Sequence, residues 1–160
     1  MRPAARRLLA RALPFLHVAR KAWWRLTRPQ TVGARAVVFD EDGRLVLVRH
    51  GYEPGLYLPG GGVKRGEPPE AAVLRELAEE VGVAAHASIE PFGVYRSERE
   101  GKRDTVHLFI VRGARLQRSE SPEIVEVVRC DPAALPADLS PATGRRLAEA
   151  LLGAPRAQSW

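Results

Sequence analysis

The chain reads as an α+β domain, a mixed β-sheet sandwiched by helices. Three features point there. Short β-rich runs stand before and after one central helical segment, the apolar residues of that segment recur at helical spacing, and a second proline-opened helical pattern comes near the end. A length of 160 residues suits one domain with its own core and an appendage. Hydrophobic residues at 45% and charged residues at 28% fit a folded chain and exclude wholesale disorder.

The appendage comes first. Nine of the 25 basic residues (Arg2, Arg6, Arg7, Arg11, Arg20, Lys21, Arg25, Arg28 and Arg35) precede Asp40, the first acid. The remaining segment carries 16 basic residues against 19 acidic ones, so the net charge of +6 describes a mildly acidic domain behind a basic arm. This division removes the reason to read the domain itself as nucleic-acid-binding. Within residues 1–31, arginines alternate with Leu8, Leu9, Leu13, Phe15, Leu16, Trp23 and Trp24, a basic amphipathic composition. It suits three arrangements: a helix packed on the domain or on a second copy in a homodimer, peripheral contact with an anionic membrane through residues 1–28, or a targeting or nucleic-acid contact. Arg11, Pro14, His17 and Arg20 interrupt any secretory apolar core. No run approaches 18 apolar residues, and the single cysteine, Cys130, rules out an intramolecular disulfide framework or a cysteine-rich zinc site. The expected location is cytoplasmic, with the membrane surface as a peripheral site.

The domain is expected over 32–153, followed by a tail at 154–160. Residues 34–39 and 44–49 are β-rich, and Asp40-Glu41-Asp42-Gly43 between them reads as a hairpin turn. Leu56-Tyr57-Leu58 reads as a third short strand, stopped by Pro59 and three glycines. Pro68 and Pro69 can open a helix that runs to about Val81 with Gly82 as its cap. Val73, Leu77 and Val81, with Leu74 beside them, form its apolar stripe. Further strands are expected at 92–96, 105–112 and 123–129. Ser140-Pro141 then opens a last helix to about Leu152.

The chemistry lies in residues 59–83, PGGGVKRGEPPEAAVLRELAEEVGV. Spacings of three and four bring Glu76, Glu79 and Glu80 to one face of the helix. Glu76 and Glu80 repel as an i,i+4 pair, and the C-terminal end of a helix dipole disfavours both. Arg75 is one cation against three carboxylates, and no lysine or arginine follows at i+4 of Glu79 or Glu80. A bound divalent cation would relieve the conflict. Carboxylate oxygens without histidine or cysteine favour magnesium or manganese. Gly60, Gly61 and Gly62 allow the backbone close to a ligand, and no Walker ending follows them.

Gly61, Glu67, Arg75-Glu76-Leu77, Glu79-Glu80 and Gly82-Val83, at these spacings, resemble the complete 23-residue signature of the Nudix family over residues 61–83. The resemblance implies a Nudix-type α/β/α sandwich with a mixed β-sheet, the basic arm lying outside it. It implies Glu79 and Glu80 as magnesium ligands, Glu76 as ligand or general base, Arg75 as the residue orienting a box glutamate, and the Gly60 carbonyl as a backbone ligand. Glu67, Gly61 and Gly82 would be structural box residues. A base from a later loop is also common in the family. Glu123 at a loop-to-strand junction is preferred here over Glu126.

The implied reaction is attack of water on phosphorus, breaking a pyrophosphate bond in a nucleoside diphosphate joined to another moiety: a nucleotide sugar, ADP-ribose, a nucleoside triphosphate or similar. The alternative is a Nudix-type binding or regulatory domain without catalysis, held at a membrane by its arm. Candidate substrate contacts are His50 at the end of the second strand, Tyr57 as a stacking ring alongside Tyr52 and Phe92, and Arg96 within a basic group that includes Arg99, Lys102 and Arg103. The tags of the coenzyme A and NADH subgroups are absent, and Glu98 stands where the ADP-ribose subgroup has a proline.

Overall fold

The computed structural model describes residues 30–99, 102–119 and 121–160. The basic arm proposed over 1–31 therefore lies, up to residue 29, outside the described residues, as do the side chains of Arg99, Lys102 and Arg103. Among the described residues seven strands and two helices follow in the order β1 (Gln30–Asp40), β2 (Leu45–His50), β3 (Gly60–Gly62), α1 (Pro69–Val81), β4 (Val83–Ala85), β5 (Ser88–Arg99), β6 (Lys102–Leu116), β7 (Ile124–Cys130) and α2 (Pro141–Leu152).

β1 is the centre of the sheet. Along one edge it pairs with β6 in parallel, from Gln30↔Arg103 to Asp40↔Ala114. Its other edge is shared by two antiparallel strands. β3 takes Gly33–Arg35, while β2 takes Val38 and Phe39. β7 extends the sheet beyond β2, from Leu45↔Cys130 to His50↔Ile124. β5 forms an antiparallel pair with β6, and β4 adds a short antiparallel segment at the far end of β6. One parallel pair among antiparallel ones makes the sheet mixed, as expected.

Both faces of the central strands are buried, which explains their unbroken apolar runs. Ala34, Ala36 and Val38 of β1 meet Val46, Val48, Phe109 and Val111 under Val73, Leu77 and Val81 of α1. On the opposite face Val37, Leu45, Leu47, Tyr95, Leu108 and Ile110 meet Leu147 of α2. The molecule is thus an α/β/α sandwich.

Both helices have the expected ends. Pro69 supplies the preset φ of the first turn of α1, and Gly82 at φ 72° stops it in a left-handed cap donating to the Leu77 carbonyl. The Ser140 hydroxyl accepts from the Thr143 N–H at the start of α2. The Asp40–Gly43 turn also forms: the Asp40 carboxylate accepts from the N–H groups of Asp42 and Arg44.

Two local expectations change. Leu56-Tyr57-Leu58 makes only isolated bridges, Val48↔Tyr57 and Leu56↔Leu139, and the third ladder strand is Gly60–Gly62. Glycines can lie against a neighbouring backbone where side chains cannot. A Cβ on Gly60 would meet the Ala34 carbonyl, and would lie 2.9 Å from Arg35 Cα. The second change is β4, a strand not anticipated after the helix. It is three residues long, too short for periodicity to show.

The C-terminal residues pack on α2 and β5. Arg96 N–H donates to the Gln158 carbonyl at 2.9 Å, and Trp160 N–H to the Arg96 carbonyl at 2.8 Å. Beneath them Arg146 is fully buried, bonded to Glu149 at 2.7 Å and stacked 4.0 Å over the Tyr95 ring. The Tyr95 hydroxyl donates to Glu149 at 2.8 Å. Burial and the neighbouring Glu149 push the Tyr95 phenol up to about 12. No helix among the described residues is long and apolar enough to cross a membrane.

Candidate active site

One end of α1, the glycine strand β3 and the segment before β7 enclose a cavity of about 930 Å³. Its lining includes Gly60–Gly62, Arg75, Glu76, Glu79 and Glu80, faced by Arg35, His50, Tyr52 and Glu123.

Arg75 ties the helix to the loop before it. Its Nε donates to Glu67 Oε1 at 2.9 Å and its Nη2 to Glu67 Oε2 at 3.0 Å, a two-point pairing. Nη2 also donates to the Gly62 carbonyl at 3.0 Å, and Nη1 to Glu76 Oε1 at 2.6 Å. The i,i+4 partner Glu79 stands farther off, at 3.8 Å. The Lys64 N–H closes the loop onto Glu67 at 2.8 Å. Together the Arg75 guanidinium and the Lys64 N–H hold the Glu67 carboxyl down at about 2. The two carboxylates in turn push the guanidinium above its usual value.

Glu76 is thereby laid against Gly61. A Cβ at Gly61 would lie 2.5 and 2.6 Å from the two carboxylate oxygens, so the space a side chain would fill is the space the carboxylate uses. Glu80 is handled differently. It falls on the buried face of α1 with Val73, Leu77 and Val81, and its Oε2 accepts from the Gly60 N–H at 2.8 Å. Burial raises its proton affinity, opposed by the Gly60 N–H and the Arg35 charge. Glu79 is exposed at the mouth.

Gly60 has φ 131°, a conformation that side chains rarely adopt. The bend turns its N–H to Glu80 and its carbonyl to the Arg35 guanidinium.

The donor set is chemically suited to a hard divalent cation: the carboxylates of Glu76, Glu79 and Glu80 and the carbonyl of Gly60 share one cavity, with Glu123 across it. As the side chains stand, no three acidic, histidine or cysteine groups among the described residues are close enough together to hold a metal ion. Arg75 engages one oxygen of Glu76 and the Gly60 N–H one oxygen of Glu80, which leaves each carboxylate a second oxygen for a ligand.

His50 is buried at the end of β2, between Tyr52 at 5.2 Å and Tyr57 at 5.4 Å between ring centroids. Burial first, and the nearby Arg35 second, lower its proton affinity. Its Nδ1 has no hydrogen-bond partner among the described residues.

Of the expected substrate contacts, His50 reaches the cavity and two do not line it. Tyr57 is half-buried against the α1 core, its hydroxyl on the Pro54 carbonyl at 3.0 Å. Arg96 lies on β5, its backbone bonded to the C-terminal residues. Glu126, the lesser candidate for a second base, is paired with Arg49 at 2.8 Å outside the cavity. Arg35 is a cavity residue that the sequence analysis does not name as a site candidate, counting it only among the basic residues before Asp40. A lone arginine inside the apolar run Gly33-Ala34-Arg35-Ala36-Val37-Val38 was the available signal, because a strand buried on both faces holds a charge only where an acceptor or a cavity receives it.

The NUDIX domain family model matches residues 29–151. An RNA pyrophosphohydrolase of Saccharophagus degradans (strain 2-40 / ATCC 43961 / DSM 17024) is 40% identical over 75 residues, 42% of this chain and 44% of that protein. A MutT-like protein of Streptomyces ambofaciens is 38% identical over 71 residues, 44% of this chain and 46% of that protein. The chain spans about half the length, or less, of these relatives. The crystal structure of a MutT NUDIX hydrolase from Burkholderia pseudomallei superposes with a TM-score of 0.63 at 26% identity, covering 74% of this chain and 96% of that one. With the family model spanning most of the sequence and the same fold found in a solved Nudix hydrolase, the chain belongs to the Nudix family.

Proposed function

We propose that the protein is a divalent-metal-dependent pyrophosphohydrolase that splits a pyrophosphate bond in a small nucleotide, in the cytoplasm, by attack of water on phosphorus. The observation that carries this reading is the gathering of Glu76, Glu79, Glu80 and Glu123 with the Gly60–Gly62 backbone around one cavity. Names among the relatives, RNA pyrophosphohydrolase and MutT-like protein, support the reaction class.

Glu76, Glu79 and Glu80 would hold the metal, magnesium with manganese as substitute, joined by the Gly60 carbonyl through the lone pair that Arg35 does not take. When bound, such an ion neutralises a diphosphate and lowers the pKa of a water. The chain's own residues do the rest. Arg75 holds Glu76 at 2.6 Å and anchors the loop through Glu67, so the carboxylate is positioned before any ligand arrives. Glu80 is fixed by the Gly60 N–H. Glu76 and Glu123, which both line the cavity, are the two candidates to take a proton from water. No serine or cysteine nucleophile is used; positioning and charge stabilisation carry the rate.

The test is nucleotide or phosphate release across nucleoside triphosphates, nucleotide sugars, ADP-ribose and dinucleotides, with and without magnesium, for wild type and Glu79→Gln. Magnesium-dependent turnover that the substitution abolishes is the expected result. A folded wild type that binds magnesium and turns over no member places the substrate outside the panel. One that neither binds the metal nor turns over any member refutes the proposal in favour of a binding domain. Comparing Glu76→Gln with Glu123→Gln separates the two candidate bases, since only loss of the base removes the acidic limb of the rate–pH profile while metal binding survives.

A further inference from the structure

We propose that Arg35 is the residue that grips the diphosphate oxygens of the substrate, an assignment that rests on the hydrolase reading above. Among the described residues three cations line the cavity: Arg35, Lys64 and Arg75. Arg75 is already engaged, since Glu67, Glu76 and the Gly62 carbonyl take its N–H groups and two carboxylates cancel its charge. Lys64 is exposed on the loop after β3, a point charge on a flexible stem.

Arg35 differs from both. Its backbone is fixed on two edges, by β3 through Arg35↔Gly60 and by β6 through Arg35↔Leu108. Its chain neighbours Ala34 and Ala36 are fully buried. The guanidinium donates to the carbonyls of Gly60 and Leu58, both neutral acceptors, and among the described residues no contacting carboxylate cancels its charge. A guanidinium has five N–H donors, and these two acceptors leave others for a ligand.

The position matches the need of the substrate. A diphosphate entering this cavity meets Glu76, Glu79, Glu80 and Glu123. A metal on the α1 side answers part of that repulsion. The phosphate oxygens turned towards β1 then need donors of their own, because a polar group removed from water without a partner is costly. A planar, preset fork is the donor that phosphate oxygens accept best. Arg35 also acts on the other groups facing it: its charge lowers the proton affinity of Glu80 and of buried His50 beside Tyr52.

The rival role is a brace that holds β3 on β1 through the Gly60 and Leu58 carbonyls. Calorimetric titration distinguishes the two, using methylenediphosphonate, a base-free and non-hydrolysable diphosphate, in saturating magnesium, and magnesium alone. The proteins are wild type, Arg35→Gln and Arg35→Lys. Loss of a charged hydrogen-bonding group predicts a diphosphonate affinity about 10- to 100-fold weaker in Arg35→Gln, partly restored by lysine, with magnesium affinity not reduced. The assignment is overturned if folded Arg35→Gln binds the diphosphonate as wild type does, if its magnesium affinity falls in step, or if wild type binds no diphosphonate. Should the glutamine variant fail to fold, a folded Arg35→Lys with undiminished affinity overturns it as well, since the fork is part of the claim. Wild type that binds the diphosphonate through Arg35 yet turns over no nucleotide would sink the hydrolase reading alone. Turnover with unaffected diphosphonate binding in the variants would sink this one alone.

Discussion

Gly60 and Gly61 are neighbours with different reasons to lack a side chain, and replacing each by alanine should have opposite consequences. At Gly61 the added Cβ would lie 2.5 and 2.6 Å from the oxygens of Glu76, the far end of a flexible side chain. The carboxyl carbon is nearer still, at 2.4 Å, so restoring ordinary van der Waals contact requires the carboxylate to draw back by about 1 Å. That shift breaks the 2.6 Å bond from Arg75 to a part-buried carboxylate, at a cost to stability of about 1–2 kcal/mol, held down because Arg75 keeps Glu67 and the Gly62 carbonyl. The cost to catalysis is larger, because misplacing a working group by about 1 Å can lower the rate by roughly 100-fold. At Gly60 the Cβ would meet backbone, the Ala34 carbonyl and Arg35 Cα, at φ 131°. Neither atom can move without parting β1 from β3, and the loss should be roughly 3–5 kcal/mol. Thermal melting and magnesium-dependent hydrolysis, run on both variants, read the two effects. Gly61→Ala should melt within a few degrees of wild type and turn over about 100-fold more slowly, while Gly60→Ala should melt lower by about 10 °C or more. A fully active Gly61→Ala would refute the pose of Glu76 against the backbone, and an unshifted melt of Gly60→Ala would refute the packing of β3.

Other predictions follow from the same contacts. Arg75→Lys cannot hold Glu67 and Glu76 at once, so the rate should fall by about 100-fold while the protein stays folded; an unchanged rate would deny Arg75 its positioning role. Glu67 has a folded pKa of about 2 against an ordinary 4.5, so it contributes stability that is present above 4.5 and is lost as pH falls towards 2. Melting temperature against pH should therefore decline through that window in wild type and more shallowly in Glu67→Gln, and parallel curves would contradict this. The His50 imidazole should titrate below its ordinary 6.5, so its contribution to stability shrinks as pH falls from 6.5 through the folded value; an NMR midpoint at or above 6.5 would show that the ring is not buried as described. Arg146→Met would leave Glu149 without its buried cation, costing about 3–5 kcal/mol. Hydrolysis per folded molecule should not change, because Arg146 lies on the face of the sheet away from α1.

The parts legible in the chain are those set by local periodicity. The stripe Val73, Leu77 and Val81 and the flanking Pro69 and Gly82 placed α1 to within a residue, and three- and four-residue spacings put the glutamates together. The Asp40–Gly43 turn was legible from its polar residues. The third strand was not. Leu56-Tyr57-Leu58 has the composition of a strand, yet the ladder runs through Gly60–Gly62, whose value lies in having no side chain where β1 passes close. β5 and β6 extend beyond the runs expected at 92–96 and 105–112, because pairing between the two strands carries them past their apolar centres. Arg35 falls within the strand expected at 34–39, but counting its charge with the basic residues before Asp40 says nothing of the cavity it enters.

Spacing along one helix was enough to specify Glu76, Glu79, Glu80 and Arg75 as a group, since a turn of 3.6 residues brings them together without reference to the rest of the chain. What stands opposite them depended on contacts between residues far apart in sequence. Gly60 meets Glu80 across 20 positions. Arg35 meets Gly60 across 25. Glu123 and His50 arrive from the ends of two paired strands, β7 and β2. Strand register and the close approach of a glycine backbone are properties of the assembled sheet, and they turned an acidic helix face into a cavity with two walls.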